Sequence, residues 1–211
     1  MKPRVLFEDE YMLAVNKPYG ILSEGEGKDA LPAILREYRR EKGEPAQIYP
    51  VHRLDRTTRG VILYAKTSAC AKKLCEQIRA GEVRKFYLAK IEGVPAYQSG
   101  VFEDLLFYDR RNNKTYVVRR ERHGVKQAKL SYEVLSAENI EGLAVSTVRI
   151  ELFTGRTHQI RAQFASRKMP VVGDRRYGSR IKSFIELYSD EIRFVHPYTG
   201  EEITIKLRTK K

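Results

Sequence analysis

Cysteine is scarce in this 211-residue chain, which holds only Cys70 and Cys75. Five positions apart on a predicted helix, they point roughly 140° from one another. That favours neither a disulfide nor a metal pair, so both read as reduced core residues. The four histidines, His52, His123, His158 and His196, lack ligand spacing, and no cysteine cluster completes a zinc site. Phosphate-cradling glycine loops are missing as well: Gly25 and Gly27 lie in Ser-Glu-Gly-Glu-Gly, whose acids would repel phosphate. Metal, nucleotide and dinucleotide cofactors are therefore not expected. Apolar runs stay far below the roughly 18 residues of a membrane span, and Met1-Lys2-Pro3-Arg4-Val5 lacks the apolar stretch of a signal peptide. The expectation is a cytoplasmic protein with no membrane partner.

Positive charge is what the chain has in excess. Forty Lys and Arg face 27 Asp and Glu, a net +13. The pI near 9.7 exceeds the value of about 9 that marks nucleic-acid binders. Nearly half of that excess lies in residues 109–129, where Arg110, Arg111, Lys114, Arg119, Arg120, Arg122, Lys126 and Lys129 face Asp109 and Glu121. The pattern there suggests strands joined by hairpins, with Asn112-Asn113 as a tight turn. It is either a solvated hairpin or a basic arm on phosphates, to which Tyr108 and Tyr116 would add stacking surface.

The length suits one large domain, residues 1–211, without an evident linker or repeat. Val5–Phe7 and Met12–Val15 read as short strands, and residues 31–42 as a charged surface helix. A strand is expected over 61–66. Thr67 or Ser68 can cap the helix that follows, whose Ala71, Leu74, Cys75 and Ile78 share one face until Gly81 ends it. Residues 84–91 are rich in β-formers, as in the middle of a sheet. Val148, Ile150 and Leu152 alternate with polar positions as in a half-buried strand, Thr157 onward looks helical, and 192–195 with 203–207 form a last hairpin.

Asp55 stands out within His52-Arg53-Leu54-Asp55-Arg56-Thr57-Thr58-Arg59-Gly60. Neighbouring cations favour the ionised carboxylate, which suits a nucleophile or base better than an acid. A salt bridge or a turn cap would explain a lone aspartate equally well.

That segment, the Arg84-Lys85-Phe86-Tyr87 strand, and Phe153-Thr154-Gly155-Arg156-Thr157-His158-Gln159-Ile160-Arg161 together resemble the signature segments of the RluA-type pseudouridine synthases. Asn16-Lys17-Pro18-Tyr19-Gly20 and Pro170-Val171-Val172-Gly173-Asp174-Arg175-Arg176-Tyr177-Gly178 resemble two further family segments, in the family's order. The resemblance implies an α+β pseudouridine synthase fold, with a mixed, largely antiparallel sheet, flanking helices and a central RNA-binding cleft. It implies an isomerase that breaks the N-glycosidic bond of a uridine in ribosomal or transfer RNA, turns the uracil, and joins ribose C1′ to uracil C5, without cofactor or metal. By motif, Asp55 is similar to the catalytic aspartate, Tyr87 to the active-site tyrosine, and Arg161 to the arginine paired with the aspartate. Arg53 resembles the residue that fills the vacancy left by a flipped base. Arg156 and His158 have a phosphate-contact reading beside a structural one, and Arg110, Arg111 and Lys114 are candidate RNA-binding residues.

The family usually has Thr-Ser-Gly or Thr-Thr-Gly where this chain has Thr58-Arg59-Gly60, and many members have Val-His where Ala162-Gln163 stands. These departures bear on substrate preference more than on activity. No room precedes the first catalytic segment for the S4 RNA-binding domain of many relatives, so RNA affinity would rest on the basic face. No obligatory protein partner is evident. A silent RNA-binding or ribosome-assembly protein on the same scaffold is the alternative, since fold alone does not establish activity.

Overall fold

The computed structural model describes residues 2–207. Their order is β1 (Arg4–Glu8), β2 (Met12–Lys17), α1 (Leu31–Glu41), β3 (Tyr49–Pro50), β4 (Arg59–Ala65), α2 (Ser68–Ala80), β5 (Arg84–Glu92), β6 (Ser99–Asp109), β7 (Lys114–Val118), β8 (Val125–Ile140), β9 (Leu143–Leu152), α3 (Gln159–Ser166), a 3₁₀ turn at Arg175–Tyr177, β10 (Leu187–Val195) and β11 (Glu202–Lys206). Residues up to Lys85, together with those from Tyr188 on, form one compact unit, and Phe86–Leu187 form another. Among the described residues no helix is long and apolar enough to cross a membrane.

In the first unit the strands run β1-β2-β4-β10, with β11 on β10 and β3 on β4. All pairs are antiparallel except β4 with β10, where Tyr188 lies opposite Arg59 and Ser189 opposite Gly60. The expected mixed, largely antiparallel sheet is thus met. The unbroken apolar run of β4 follows from its burial at every residue after Arg59. Val61, Leu63 and Ala65 pack with Cys70 and Leu74 of α2. That helix begins as its sequence predicts, the Thr67 side chain accepting from the Cys70 amide, and it ends at Gly81 in the left-handed region (φ 78°). Both cysteines are free thiols. Cys70 is fully within the core, whereas Cys75 is only half-buried, a correction to the expectation that both are core residues.

In the second unit the order is β5-β9-β8-β6-β7, antiparallel throughout. Asn112 and Asn113 do form the turn between β6 and β7, with Asn113 at φ 46°. The α3 helix packs Phe164 edge-on against Phe102 at 5.1 Å and near Tyr132 at 5.9 Å. Gln163, one of the departures from the family pattern, is fully buried. Its amide donates to the Phe102 carbonyl and to Asp104 (3.3 and 2.7 Å), so this departure belongs to the joint between α3 and β6.

Candidate active site

Asp55 lies on the loop that enters β4. Its carbonyl accepts from the Thr58 amide at 3.0 Å, closing a turn. The residues on either side are tied down more firmly. Ser23 Oγ accepts from the Leu54 amide at 3.0 Å and donates to the Leu54 carbonyl at 2.5 Å, and the buried Tyr64 hydroxyl holds the Ser23 carbonyl at 2.7 Å. Lys17, the last residue of β2, pairs with Gly60 in the sheet and is fully buried. Its ammonium donates to the carbonyls of Pro18, Arg56 and Thr58 (3.1, 3.2 and 2.8 Å). Burial pushes the Lys17 pKa down to about 8, and the Asp55 carboxylate acts in the opposite sense.

The arginines around Asp55 are engaged in other work as well. Arg53 is exposed and ion-paired with Glu24 at 2.6 Å. Arg56 Nε donates to the Gly20 carbonyl at 2.8 Å, while the Gly20 amide donates back to the Arg56 carbonyl. Arg59 lies between two rings, its guanidinium carbon 4.9 Å from the centre of Tyr188 and 5.8 Å from that of Tyr19. His52 accepts from the Leu63 amide at 3.0 Å through Nε2, and burial, aided by Lys85, pushes its pKa down to about 3. The imidazole is therefore a neutral acceptor that fixes the loop to β4. Gly60 has φ +116°, and a Cβ there would lie 2.1 Å from the Ser189 carbonyl oxygen. Only glycine lets β4 and β10 approach this closely.

Tyr87 is buried on β5, opposite Ile150 of β9. Arg161, in the first turns of α3 as expected, is buried too. Its Nε and Nη2 make a bidentate pair with Asp174 (2.6 and 3.0 Å), an acid without solvent exposure. The guanidinium also lies 4.9 Å above the Tyr177 ring. The Tyr177 hydroxyl accepts from the Thr115 amide at 2.7 Å and lies 3.1 Å from His158 Nδ1, which can take the phenol's own proton. His158 is buried, in the left-handed region at the start of α3, and its ring also meets Tyr108 edge-on at 6.3 Å. The other candidates are at the surface. Arg110, Arg111 and Arg156 are exposed, and Lys114 lies over the Tyr116 and Tyr177 rings.

Lys17, Ser23, Asp174, Tyr177 and Gln159 are the residues that motif reading passed over. Gln159 Oε1 accepts from the Arg156 amide and the Thr154 hydroxyl, and its amide group donates to the Lys129 carbonyl, fixing the loop ahead of α3. A lysine closing an otherwise apolar strand, and one acid among the arginines of 170–178, were the available signals. A separate pocket of about 850 Å³ opens near Lys66, just past the other end of β4, roughly 20 Å from the Asp55 loop at the usual strand rise. Several of its charges pair with one another, Glu8 with Lys66 and Lys42, and Lys42 with Glu44.

The family model for RNA pseudouridylate synthase matches residues 11–166. The chain is 34% identical over 204 residues to an uncharacterized RNA pseudouridine synthase of Bacillus subtilis, covering 94% of this chain and 66% of that relative. It is 32% identical over 214 residues to the dual-specificity RNA pseudouridine synthase RluA of Salmonella typhimurium, covering 96% of this chain and 91% of that one. A solved structure, human RNA pseudouridylate synthase domain containing 1, has the same fold with a TM-score of 0.81 at 22% identity, covering 99% of this chain and 84% of that one. The match over most of the chain, on segments that carry Asp55, Tyr87 and Arg161, means that this chain belongs to the RNA pseudouridylate synthase family.

Proposed function

We propose that residues 1–211 act as one catalytic domain that isomerises uridine to pseudouridine in ribosomal or transfer RNA, with Asp55 as the reacting carboxylate. In the reaction the C1′–N1 bond breaks, C1′ joins C5, the C5 proton leaves and N1 gains a proton, so that the product is an isomer and no co-reactant is needed. A carboxylate serves as the nucleophile that attacks and leaves again, or as the base. Tyr87 would present its face to the uracil and its hydroxyl to the departing proton. Arg161 would be the cation that keeps the aspartate ionised and oriented. Arg53 is read as the side chain that takes the place of the flipped base, offsetting part of a cost of a few kcal/mol.

The observation that carries this reading is the family match across residues 11–166, joined to an Asp55 loop whose flanking main chain is held by Lys17 and Ser23. Rigid support of this kind is what a reacting group requires. RNA as substrate agrees with the net +13 charge, and the exposed Arg110, Arg111 and Arg156 supply phosphate partners. The alternative, a silent RNA binder, has no observation in its favour.

The test is pseudouridine mapping at single-nucleotide resolution in total RNA from cells with and without the gene. One or a few sites should vanish, then return with the wild-type chain but not with Asp55→Asn. An unchanged map, with purified protein inactive on unmodified ribosomal and transfer RNA, would overturn the reading.

A further inference from the structure

The short segment 174–177 makes contacts out of proportion to its length. Asp174 takes the Nε–Nη2 edge of the Arg161 guanidinium. Two residues on, Arg176 Nη1 donates to the carbonyls of Asn112 and Asn113 (2.9 and 2.7 Å) at the tip of the β6–β7 hairpin. Tyr177 then places its ring beneath Arg161 and its hydroxyl on the Thr115 amide, one residue into β7, while Thr115 Oγ1 donates to the Thr157 carbonyl at 2.7 Å. The residue ahead of it lies close against another stretch of main chain. A Cβ at Gly173 would lie 2.2 Å from the Phe184 carbonyl oxygen.

Arg176 is exposed, and water could satisfy two carbonyls at a hairpin tip. Ordering so long a side chain costs up to about 2 kcal/mol of rotamer freedom. The contact therefore makes more sense as control of the turn's position than as hydrogen-bond satisfaction. The turn is the one that displays Arg110 and Arg111, and Asp109 shapes it from within by accepting from the amides of Arg111 and Asn112.

The geometry points to Arg176 and Tyr177 as positioning residues: they hold the Asn112–Asn113 turn in fixed register with Arg161, so that the phosphates gripped by the turn and the uridine served by Arg161 are set at one spacing. This rests on the proposed role of Arg161. Neither residue needs to touch the reacting atoms. Without the latch the basic tip still carries its charge but no longer presents it at a fixed distance.

The experiment is a double-mutant cycle with unmodified ribosomal and transfer RNA transcripts as substrate, reading kcat and KM for pseudouridine formation. Replacing Arg110 and Arg111 by Ala should raise KM about tenfold in the wild-type background, and less than about threefold when Arg176→Ala is also present. Tyr177→Phe keeps the ring and removes the hydroxyl, and should lower kcat about tenfold with the fold intact. Costs of Arg176→Ala and of the hairpin arginines that simply multiply would make Arg176 an independent phosphate contact and overturn the proposal. So would a Tyr177→Phe protein whose thermal midpoint falls while kcat and KM stay put. If the wild-type chain makes no pseudouridine, the reading of Arg161 fails instead. The same cycle, measured as filter retention of the RNA, then still decides whether Arg176 seats the turn.

Discussion

The loop that carries Asp55 is fixed by side chains that grip its main chain, whereas Arg161 is fixed by its own guanidinium. Lys17, Ser23 and Tyr64 reach carbonyls and an amide around the aspartate. Asp174 and Tyr177 reach the charged end of the arginine. The first arrangement sets where backbone goes and the second sets where a charge goes. They fail differently: loss of a backbone anchor lets the loop drift by degrees, while loss of Asp174 takes a charged, bidentate partner from a buried cation, which costs more per atom removed.

The largest effect should come from the reacting group itself. Asp55→Asn is expected to lower pseudouridine formation on the order of 10⁴-fold with RNA affinity within about twofold, measured by tritium release from C5-labelled RNA and by filter binding. Next come the two supports. Asp174→Asn should destabilise the protein by about 3 kcal/mol or more because the buried Arg161 loses the charge of its bidentate partner. Lys17→Met removes the ammonium from the Pro18 and Thr58 carbonyls at roughly 1–3 kcal/mol each, while the Arg56 carbonyl keeps the Gly20 amide. Calorimetric midpoints would rank them. A Lys17→Met protein that keeps wild-type stability and activity would break the contrast drawn between the two regions.

A pH-dependent effect should follow from His52. Its folded pKa is about 3 against an ordinary value of 6.5, so between these values the unfolded chain holds a proton that the folded chain lacks. Stability therefore rises with pH across that window and is lost on acidification. Urea midpoints at about pH 7 and about pH 4.5 should differ less in His52→Gln, whose carbonyl can still accept from Leu63, than in the wild type. The smallest effect is expected for Arg59→Ser, which installs one of the two residues usual in the family. Loss of its ring contacts should cost under about 1 kcal/mol, with the change read instead in which uridines are modified.

Local pattern was enough to find α2 with its Gly81 stop and a cap at Thr67 or Ser68, of which Thr67 serves, the buried β4, and the Asn112-Asn113 turn, because each depends on residues close in sequence. Asp55, Tyr87 and Arg161 were legible as motif members. Their supports were not. Lys17 meets Thr58 across 41 positions, and Arg161 meets Asp174 after the chain has left α3 and returned, contacts that no helical or strand period encodes. Burial was also hidden. The sequence leaves His158 a phosphate-contact reading beside a structural one, and only the fold shows its ring buried against Tyr177 and Tyr108. Arg53 and Arg56, which flank Asp55 in the sequence, also reach Glu24 and the Gly20 carbonyl, contacts that the sequence does not announce.

Positions 59 and 60 are neighbours with opposite freedoms. Arg59 extends its side chain onto the Tyr19 and Tyr188 rings, but at Gly60 the Ser189 carbonyl occupies the space of any side chain. A library randomised at both codons and selected for folded protein should return many residues at the first and glycine alone at the second. The aspartate segment of this chain thus ends on a letter written by strand packing, directly after one whose space no main chain occupies.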